Sequence, residues 1–190
     1  LIITVDCGTS SFAGLECAKN LGVDVIVIDH HLSTEVPKNA AAVVNPNRID
    51  ENSPYTYLAA VGVSFLFAVG LIKELKKRSY FDDAIPNLMQ YLDLDLMQYL
   101  DLVALGTVCD VMNIVGLNRA FVAAGLKIMN RRQNIGIRAL LEVANLDEKI
   151  TPYHLGFVLG PRINAGGRVG SSSLGSTLLS TDCEIRAKKI

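Results

Sequence analysis

The chain has 190 residues, of which 50% are apolar and 19% are charged, a composition that excludes a disordered segment and suits a compact globular fold. Its 18 Lys and Arg residues nearly balance its 19 Asp and Glu residues, so no strong overall field predicts nucleic acid or a membrane as partner, and any polyanion site must be local. The four cysteines lie far apart without a C-x-x-C pair, which argues against a disulfide framework or structural zinc and favours a reducing cytoplasm.

The chain begins with a predicted β-α-β unit. Residues 1–5 form a β-branched apolar run that ends at Asp6, and residues 23–29 repeat this pattern, which is typical of a buried parallel strand. The residues between them have helical spacing and a stop signal at Gly22, so we expect a helix there. Because a helical crossover makes the two strands parallel, both should end at one edge of the sheet, where open α/β folds bind their ligands.

Polar residues follow both predicted strands at that edge. Asp6 ends the first strand, and Asp29, His30 and His31 end the second. Carboxylate oxygens with a neutral imidazole suit Mn²⁺, Mg²⁺ or Zn²⁺, and one imidazole among carboxylates favours the first two ions. Side chains alternate in direction on extended backbone, so we expect only one histidine to meet the metal and the other to orient water or contact phosphate. Asp29 is expected to accept the hydrogen bond that fixes the imidazole tautomer.

A third acid, Asp110, is predicted in a glycine-containing loop after the apolar residues 102–109. With Asp6 and a histidine it would complete a centre in which two divalent ions, about 3.5–4 Å apart, activate a water and stabilise the leaving oxygen of a phosphoester. Simpler alternatives stay open for each residue. Asp6 is equally consistent with a turn cap, Asp110 with an ordinary loop residue, and the adjacent histidines with hydrogen-bonded surface groups.

The middle of the chain is predicted to hold a short strand and a long helix. Residues 41–45 read as a strand within the loop 37–54, and a helix is expected over 57–77 with a basic C-terminal end. Its apolar part, residues 58–72, is shorter than the roughly 20 residues that cross a bilayer, so we expect a buried core helix and not a membrane span.

A tandem duplication follows. LMQYLDLD at 88–95 and LMQYLDLV at 96–103 are identical at seven of eight positions. An insertion of this length rotates a helix by about 80°, so the two copies cannot present the same face to the core. We expect the second copy to pack and the first to project or fray, and equal burial of Leu92 and Leu100 would contradict this.

The last third is predicted to be helical apart from one loop. Helices are expected near 118–132 and 135–146, and after Thr151 with Pro152, which stand in the favoured order of cap and first-turn proline. Residues 160–168, GPRINAGGR, are expected to form a loop whose glycine amides and arginines bind phosphate, or else a turn with two solvated arginines. The candidate nucleic-acid contacts in this segment are Arg162, Asn164, Gly167 and Arg168.

Five motifs occur in an order that resembles a known family. They are VDCG at 5–8, DHH at 29–31, ALGTVCD at 104–110, NR at 118–119 and GPRINAGGR at 160–168. Over nearly the whole chain they resemble the DHH phosphoesterase superfamily, and within it the RecJ-like single-stranded-DNA-specific exonucleases. The resemblance implies an α/β fold in which a parallel sheet is flanked by helices and followed by a helical segment. It also implies a partial DHH domain over residues 1–175 and the start of a connecting helix over 176–190.

The resemblance further implies a reaction and a role for each site residue. Asp6, His30 and Asp110 would be ligands of a two-metal centre with Mn²⁺ or Mg²⁺, bridged by Asp6 or Asp110. His31 would position the substrate phosphate or water, and His31 and Asp29 would be the catalytic residues. The family removes nucleotides from the 5′ end of single-stranded DNA in recombination and repair, so single-stranded DNA, repair or recombination proteins and a cytoplasmic, non-membrane location are implied. Contacts to the nucleic acid would come from Arg162, Asn164 and Arg168.

Departures from the family pattern lower the expected activity of this chain alone. The Asp-x-Asp motif of the family, expected on a strand before Leu1, is not among these residues, and neither are its DHH-associated and oligonucleotide-binding domains. Gly166 stands where the family commonly has Ala. We therefore expect a fragment with weak metal binding and impaired nuclease activity. The alternatives are another DHH phosphoesterase, such as a pyrophosphatase or an oligonucleotide or cyclic-dinucleotide phosphodiesterase, and an inactive remnant.

Overall fold

The computed structural model of the chain describes residues 1–78 and 96–190. The chain forms two compact units, Leu1–Met97 and Gln98–Ile190. In the described residues the first unit is α/β and the second is helical, which confirms the predicted fold class. The domain boundary placed at residue 175 stays a prediction.

The first unit contains a parallel sheet whose strands end together. In its described residues, β1 (Ile2–Val5), β2 (Val25–Ile28) and β3 (Ala42–Val44) pair in that order, and both pairs are parallel. The register places Ile28 opposite both Val5 and Val44. The predicted β-α-β unit and the predicted short strand are therefore confirmed, and the residues that follow the three strands share one edge.

Burial differs between the central strand and the edge strand. Val25, Val27 and Ile28 of β2 are buried, as expected for a strand with a neighbour on each side. In β1, however, Ile3 is 47% exposed and Val5 is 56% exposed. The prediction of a buried strand over residues 1–5 was therefore wrong. An apolar run predicts that a strand forms, but it does not predict whether that strand lies in the centre or at the edge of the sheet.

Two helices belong to the described part of the first unit. α1 (Phe12–Asn20) makes the crossover from β1 to β2 and buries Leu15 against β2, and Gly22 adopts φ +68° just after it, as its predicted role as a stop requires. α2 (Ala60–Lys77) buries residues in its first turn and carries lysines in its last turn. Among the described residues, no helix has both the length and the apolar content that a membrane crossing needs.

The second unit is a set of helices around one apolar core. A 3₁₀ turn (Leu96–Tyr99) leads into α3 (Leu100–Cys109), which packs on α4 (Gly116–Met129), and α5 (Ile135–Val143) follows. A continuous helical run comes next and consists of α6 (Pro152–His154), a π-helical turn (Leu155–Leu159) and α7 (Gly160–Val169). The chain then forms α8 (Leu174–Ser180) and α9 (Glu184–Lys189). The core includes Ala104, Leu105, Val122, Met129, Ile137, Leu141, Ile150, Leu155 and Leu159.

The second copy of the duplication packs as predicted. Its Leu100, the first residue of α3, is only 2% exposed. The first copy, residues 88–95, lies outside the described residues. The comparison between Leu92 and Leu100 therefore stays a prediction.

The segment GPRINAGGR is a helix and not the predicted glycine and arginine loop. Residues 160–168 lie within α7, which continues the helical run that begins at Pro152. Pro161 stands in the first turn of α7, where its ring and missing N–H are tolerated. The amides of Gly166 and Gly167 lie inside the helix and are directed at carbonyls one turn earlier. These glycines therefore do not form the predicted amide cradle for an anion.

Candidate metal centre

Asp6, His30 and His31 form a cluster of possible metal ligands at the carboxyl edge of the sheet. Each contributes one ligand atom, and the three atoms lie within 4.8 Å of one another. Asp6 Oδ1 is 3.4 Å from His30 Nε2. The convergence of the ends of β1 and β2, predicted from the β-α-β pattern, brings these side chains together.

Asp6 owes its position to the backbone just after β1. Its N–H donates to the carbonyl of Ile28 at 2.9 Å, which continues the pairing of β1 with β2 by one residue. Its φ of +59° turns the chain away from the sheet, a left-handed conformation that Asp tolerates better than most residues. The carboxylate is 62% exposed and faces the histidines.

The two histidine rings lie side by side. Their centroids are 4.6 Å apart and the rings meet edge to face at 70°. The prediction that they point in opposite directions was wrong, because β2 ends at Ile28 and residues 29–33 are not extended strand. Both imidazoles are therefore available to the same ion.

Asp29 is the buried support of this cluster. It is 1% exposed, and its Oδ1 accepts hydrogen bonds from His30 N at 2.8 Å and from His31 N at 3.3 Å. The amide of Thr9 donates to Oδ2 at 3.0 Å, and His31 Nδ1 lies 2.7 Å from Oδ1. Burial alone would raise the pKa of Asp29, but the hydrogen bonds from His31, Thr9 and His30 outweigh it and lower the pKa to about 2. Asp29 is thus a carboxylate at neutral pH.

The contacts at Nδ1 assign the same tautomer to both rings, with Nε2 as the possible ligand atom. A carboxylate only accepts, so the ring nitrogen His31 Nδ1 beside Asp29 carries the proton and Nε2 keeps its lone pair. His30 Nδ1 lies 3.2 Å from the carbonyl of Leu58, which assigns the same tautomer to that ring. His30 Nε2 then faces the carboxylate of Asp6, and two acceptors this close require a proton or a cation between them.

Three polar residues that the sequence interpretation missed, Thr9, Asn45 and Asn47, hold the histidine-containing loop after β2 in place. Buried Asn45 follows β3 and donates from Nδ2 to the carbonyl of His31 at 2.8 Å and to Thr9 Oγ1 at 2.9 Å. Asn47 Nδ2 donates to the carbonyl of His30 at 2.6 Å. The sequence could have indicated Asn45 by its position, because Asn45 directly follows the third parallel strand at the same edge of the sheet as Asp6 and Asp29.

Asp110 stands at the end of a helix and not in the predicted glycine-containing loop. Residues 100–109 form α3, Gly106 lies inside it, and the amide of Asp110 donates to the carbonyl of Gly106 at 2.9 Å. An apolar run of the length of residues 102–109 is consistent with a helix as well as with a segment that leads into a loop. In the structure these residues form a helix that packs against α4. Asp110 belongs to the second unit, and its meeting with Asp6 and His30 stays a prediction.

The candidate nucleic-acid contacts lie on α7 and do not share one face. Asn164 and Arg168 are one turn apart and therefore neighbours, whereas Arg162 is two positions before Asn164 and points elsewhere. Arg162 Nη1 donates to the carbonyl of Val158 at 2.8 Å. Gly167 lies in the helix beside Arg168, with open space where a Cβ would be.

Comparisons with known proteins agree with this geometry. Residues 1–107 match the DHH family, N-terminal domain. The chain belongs to the DHH family. It is 46% identical over 187 residues to the single-stranded-DNA-specific exonuclease RecJ of Escherichia coli (strain K12), an alignment that covers 96% of this chain and 31% of that protein.

Solved structures are similar as well. The crystal structure of RecJ in complex with Mn²⁺ from Thermus thermophilus superposes with a TM-score of 0.77 at 31% identity and covers 98% of this chain and 26% of that one. The Mg²⁺ complex from the same organism gives a TM-score of 0.62 at 28% identity, with 98% of this chain and 23% of that one covered. The chain thus spans less than a third of the length of these relatives.

The DHH match divides the predicted site residues into two groups. The matched residues include Asp6, Asp29, His30 and His31, which the structure gathers at one edge of the sheet. Asp110 and α7 lie beyond residue 107. The DHH match therefore supports the cluster in the first unit, and the roles of the later residues stay predictions.

Proposed function

We propose that this chain is part of a metal-dependent exonuclease that hydrolyses single-stranded DNA from its 5′ end, with Mn²⁺ or Mg²⁺ as cofactor. The observation that carries the proposal is the cluster of Asp6, His30 and His31 at the carboxyl edge of a parallel sheet. The similarity to RecJ proteins, whose names specify single-stranded DNA and whose structures hold Mn²⁺ or Mg²⁺, supports the choice of substrate and ion.

The ligand atoms fit a divalent ion. One carboxylate and two imidazoles form a mixed oxygen and nitrogen set, which suits Mn²⁺ better than Mg²⁺, an ion that prefers oxygen ligands alone. Asp6 and the Nε2 atoms of His30 and His31 would hold the ion, and Asp110 would add a second carboxylate. A bound ion of this kind lowers the pKa of water and neutralises charge on a phosphoryl oxygen.

The chain's own residues prepare this chemistry. Asp29 is a positioning residue, because its carboxylate fixes the tautomer of His31 and the backbone of the loop. The carbonyl of Leu58 orients His30 in the same way. We place His31 nearest the substrate phosphate, since its side chain is 60% exposed whereas that of His30 is only 9% exposed.

The remaining parts of the proposal concern partners and location. Arg162, Asn164 and Arg168 would contact the DNA backbone, with Gly167 giving close access to the helix surface. Because Arg162 points away from the other two side chains, it would contact a different phosphate. Single-stranded DNA is the proposed partner, together with repair or recombination proteins, in the cytoplasm and away from membranes.

The test is release of nucleotides from labelled DNA by the 190-residue chain with Mn²⁺. We expect slow release from the 5′ end of a single strand, little from a duplex, and none after Asp6→Asn. Asp24→Asn is the matched control, because Asp24 is an acid just before β2, at the opposite end of that strand. Equal release in both variants, or faster hydrolysis of pyrophosphate or dinucleotides than of long single strands, would contradict the proposal.

A further inference from the structure

Two aromatic side chains of the second unit are stacked on each other while remaining open to solvent. The rings of Tyr153 and Phe157 have centroids 5.1 Å apart and an interplanar angle of 26°. Tyr153 is 63% exposed and Phe157 is 71% exposed. Aromatic residues in a stable fold normally bury most of their surface. A stacked pair this exposed is therefore a candidate binding site for a ligand with a flat aromatic face.

The helical run 152–169 holds the pair in place. Leu155 and Leu159 of the π-helical turn are fully buried, and this directs Phe157 outward on the same side as Tyr153, four residues earlier. His154 is fixed between its neighbours, since Thr151 N donates to Nδ1 at 3.1 Å and Nε2 lies 3.2 Å from Glu148 Oε1. π-helical turns are rare and frequently mark functional sites.

A cationic side chain that can pair with a phosphate lies close to the two rings. Arg162 donates to the carbonyl of Val158, which places its guanidinium group beside the residue that follows Phe157. Lys149 lies four positions before Tyr153 in the chain. Two acids precede the rings in the chain: Glu148 Oε1 lies 3.2 Å from His154 Nε2, and the exposed Asp147 lies 3.9 Å from Arg132 Nη1. The guanidinium group of Arg162 is thus the cation that a hydrogen bond holds close to the rings.

We propose that Tyr153 and Phe157 form a stacking platform for an unpaired base of single-stranded DNA. The inference rests on the proposed function, because only unpaired bases expose their faces. A base would extend the two-ring stack by a third ring, and Arg162 would pair with the phosphate next to it. The platform carries no sequence preference, since every base has a flat face.

The test is the affinity of the 190-residue chain for oligo-dT, measured by fluorescence anisotropy in EDTA so that the metal cluster plays no part. We expect Tyr153→Ala and Phe157→Ala each to weaken binding by about 5- to 150-fold, the range for loss of one base stack. Ile185→Ala is the control, because Ile185 is equally exposed, at 71%, in the same unit, and should leave affinity unchanged. Tyr153→Phe keeps a flat ring and should bind like the wild-type chain.

An abasic strand with the same number of phosphates separates stacking from charge. The alanine variants and the wild-type chain should bind it equally. Unchanged affinity of both alanine variants for oligo-dT, or an equal loss on the abasic strand, would overturn the platform while leaving cleavage dependent on Asp6 and the proposed function intact. If the wild-type chain is a dimer and the alanine variants are monomers, the rings belong to a contact between two copies of the chain, and this result would overturn the platform. If the wild-type chain neither binds nor cleaves single strands, both proposals fail.

Discussion

At the scale of single residues, Asp29 is the group on which the histidine loop depends. Its two oxygens accept four hydrogen bonds, and an asparagine in its place offers only one accepting oxygen. We expect Asp29→Asn to lower the free energy of unfolding by about 1–3 kcal/mol and to weaken Mn²⁺ binding by about 10- to 100-fold. Urea unfolding in EDTA and a Mn²⁺ titration measure the two effects.

The control for Asp29 is Asp50→Asn in the same unit. Asp50 is exposed and pairs with Arg48 at 2.6 Å, so its loss should change neither quantity appreciably. If Asp29→Asn leaves Mn²⁺ affinity at the wild-type value, Asp29 does not position His31.

A second residue-scale prediction concerns pH. Asp101 is only 4% exposed, and this burial raises its pKa. The hydrogen bond from the amide of Leu102 lowers the pKa, but by less than burial raises it. The folded chain therefore holds this proton more tightly than the unfolded chain, and stability falls as pH rises from the ordinary carboxyl pKa through the raised one. Asp101→Asn should flatten that part of the profile of unfolding free energy against pH. Asp182→Asn, an exposed acid in the same unit, should leave the profile unchanged.

At the scale of secondary structure, the β-branched apolar runs predicted the three strands of the described sheet, although only β2 has most of its residues buried. The same reasoning predicted that Asp6 and a histidine meet at this edge, but it allowed only one histidine in the cluster, because residues 30 and 31 were expected to be extended. The helix over 160–169 was missed because its glycines suggested a loop, whereas the preceding turns already direct the chain into a helix. Asn45 and Asn47 were missed because their role is to hold carbonyls that only the folded loop brings near them.

The contact between α3 and α4 depends on a glycine. A Cβ on Gly125 would overlap the carbonyl of Leu100 and the side chain of Ala104, so the two helices meet backbone to backbone there. We expect Gly125→Ala to lower the free energy of unfolding by about 1–3 kcal/mol, because the helices must move apart. Gly166→Ala is the matched control, since it has open space in α7 and should stabilise the chain by up to ~1 kcal/mol. Equal melting temperatures of the two variants would show that α3 and α4 do not pack this closely.

At the scale of the whole molecule, we predict that Asp110 of the second unit adds its carboxylate to the metal centre. Asp6 alone supplies one negative charge among the three clustered ligands, which is too little for two divalent ions. If Asp110 joins the centre, Asp110→Asn removes half of the carboxylate charge and should weaken Mn²⁺ binding by at least about 10-fold. Asp182→Asn removes an equal charge from an exposed position in the same unit and should leave Mn²⁺ affinity unchanged. Calorimetric titration of the three chains distinguishes the outcomes, and equal affinity in all of them would confine the metal centre to the first unit.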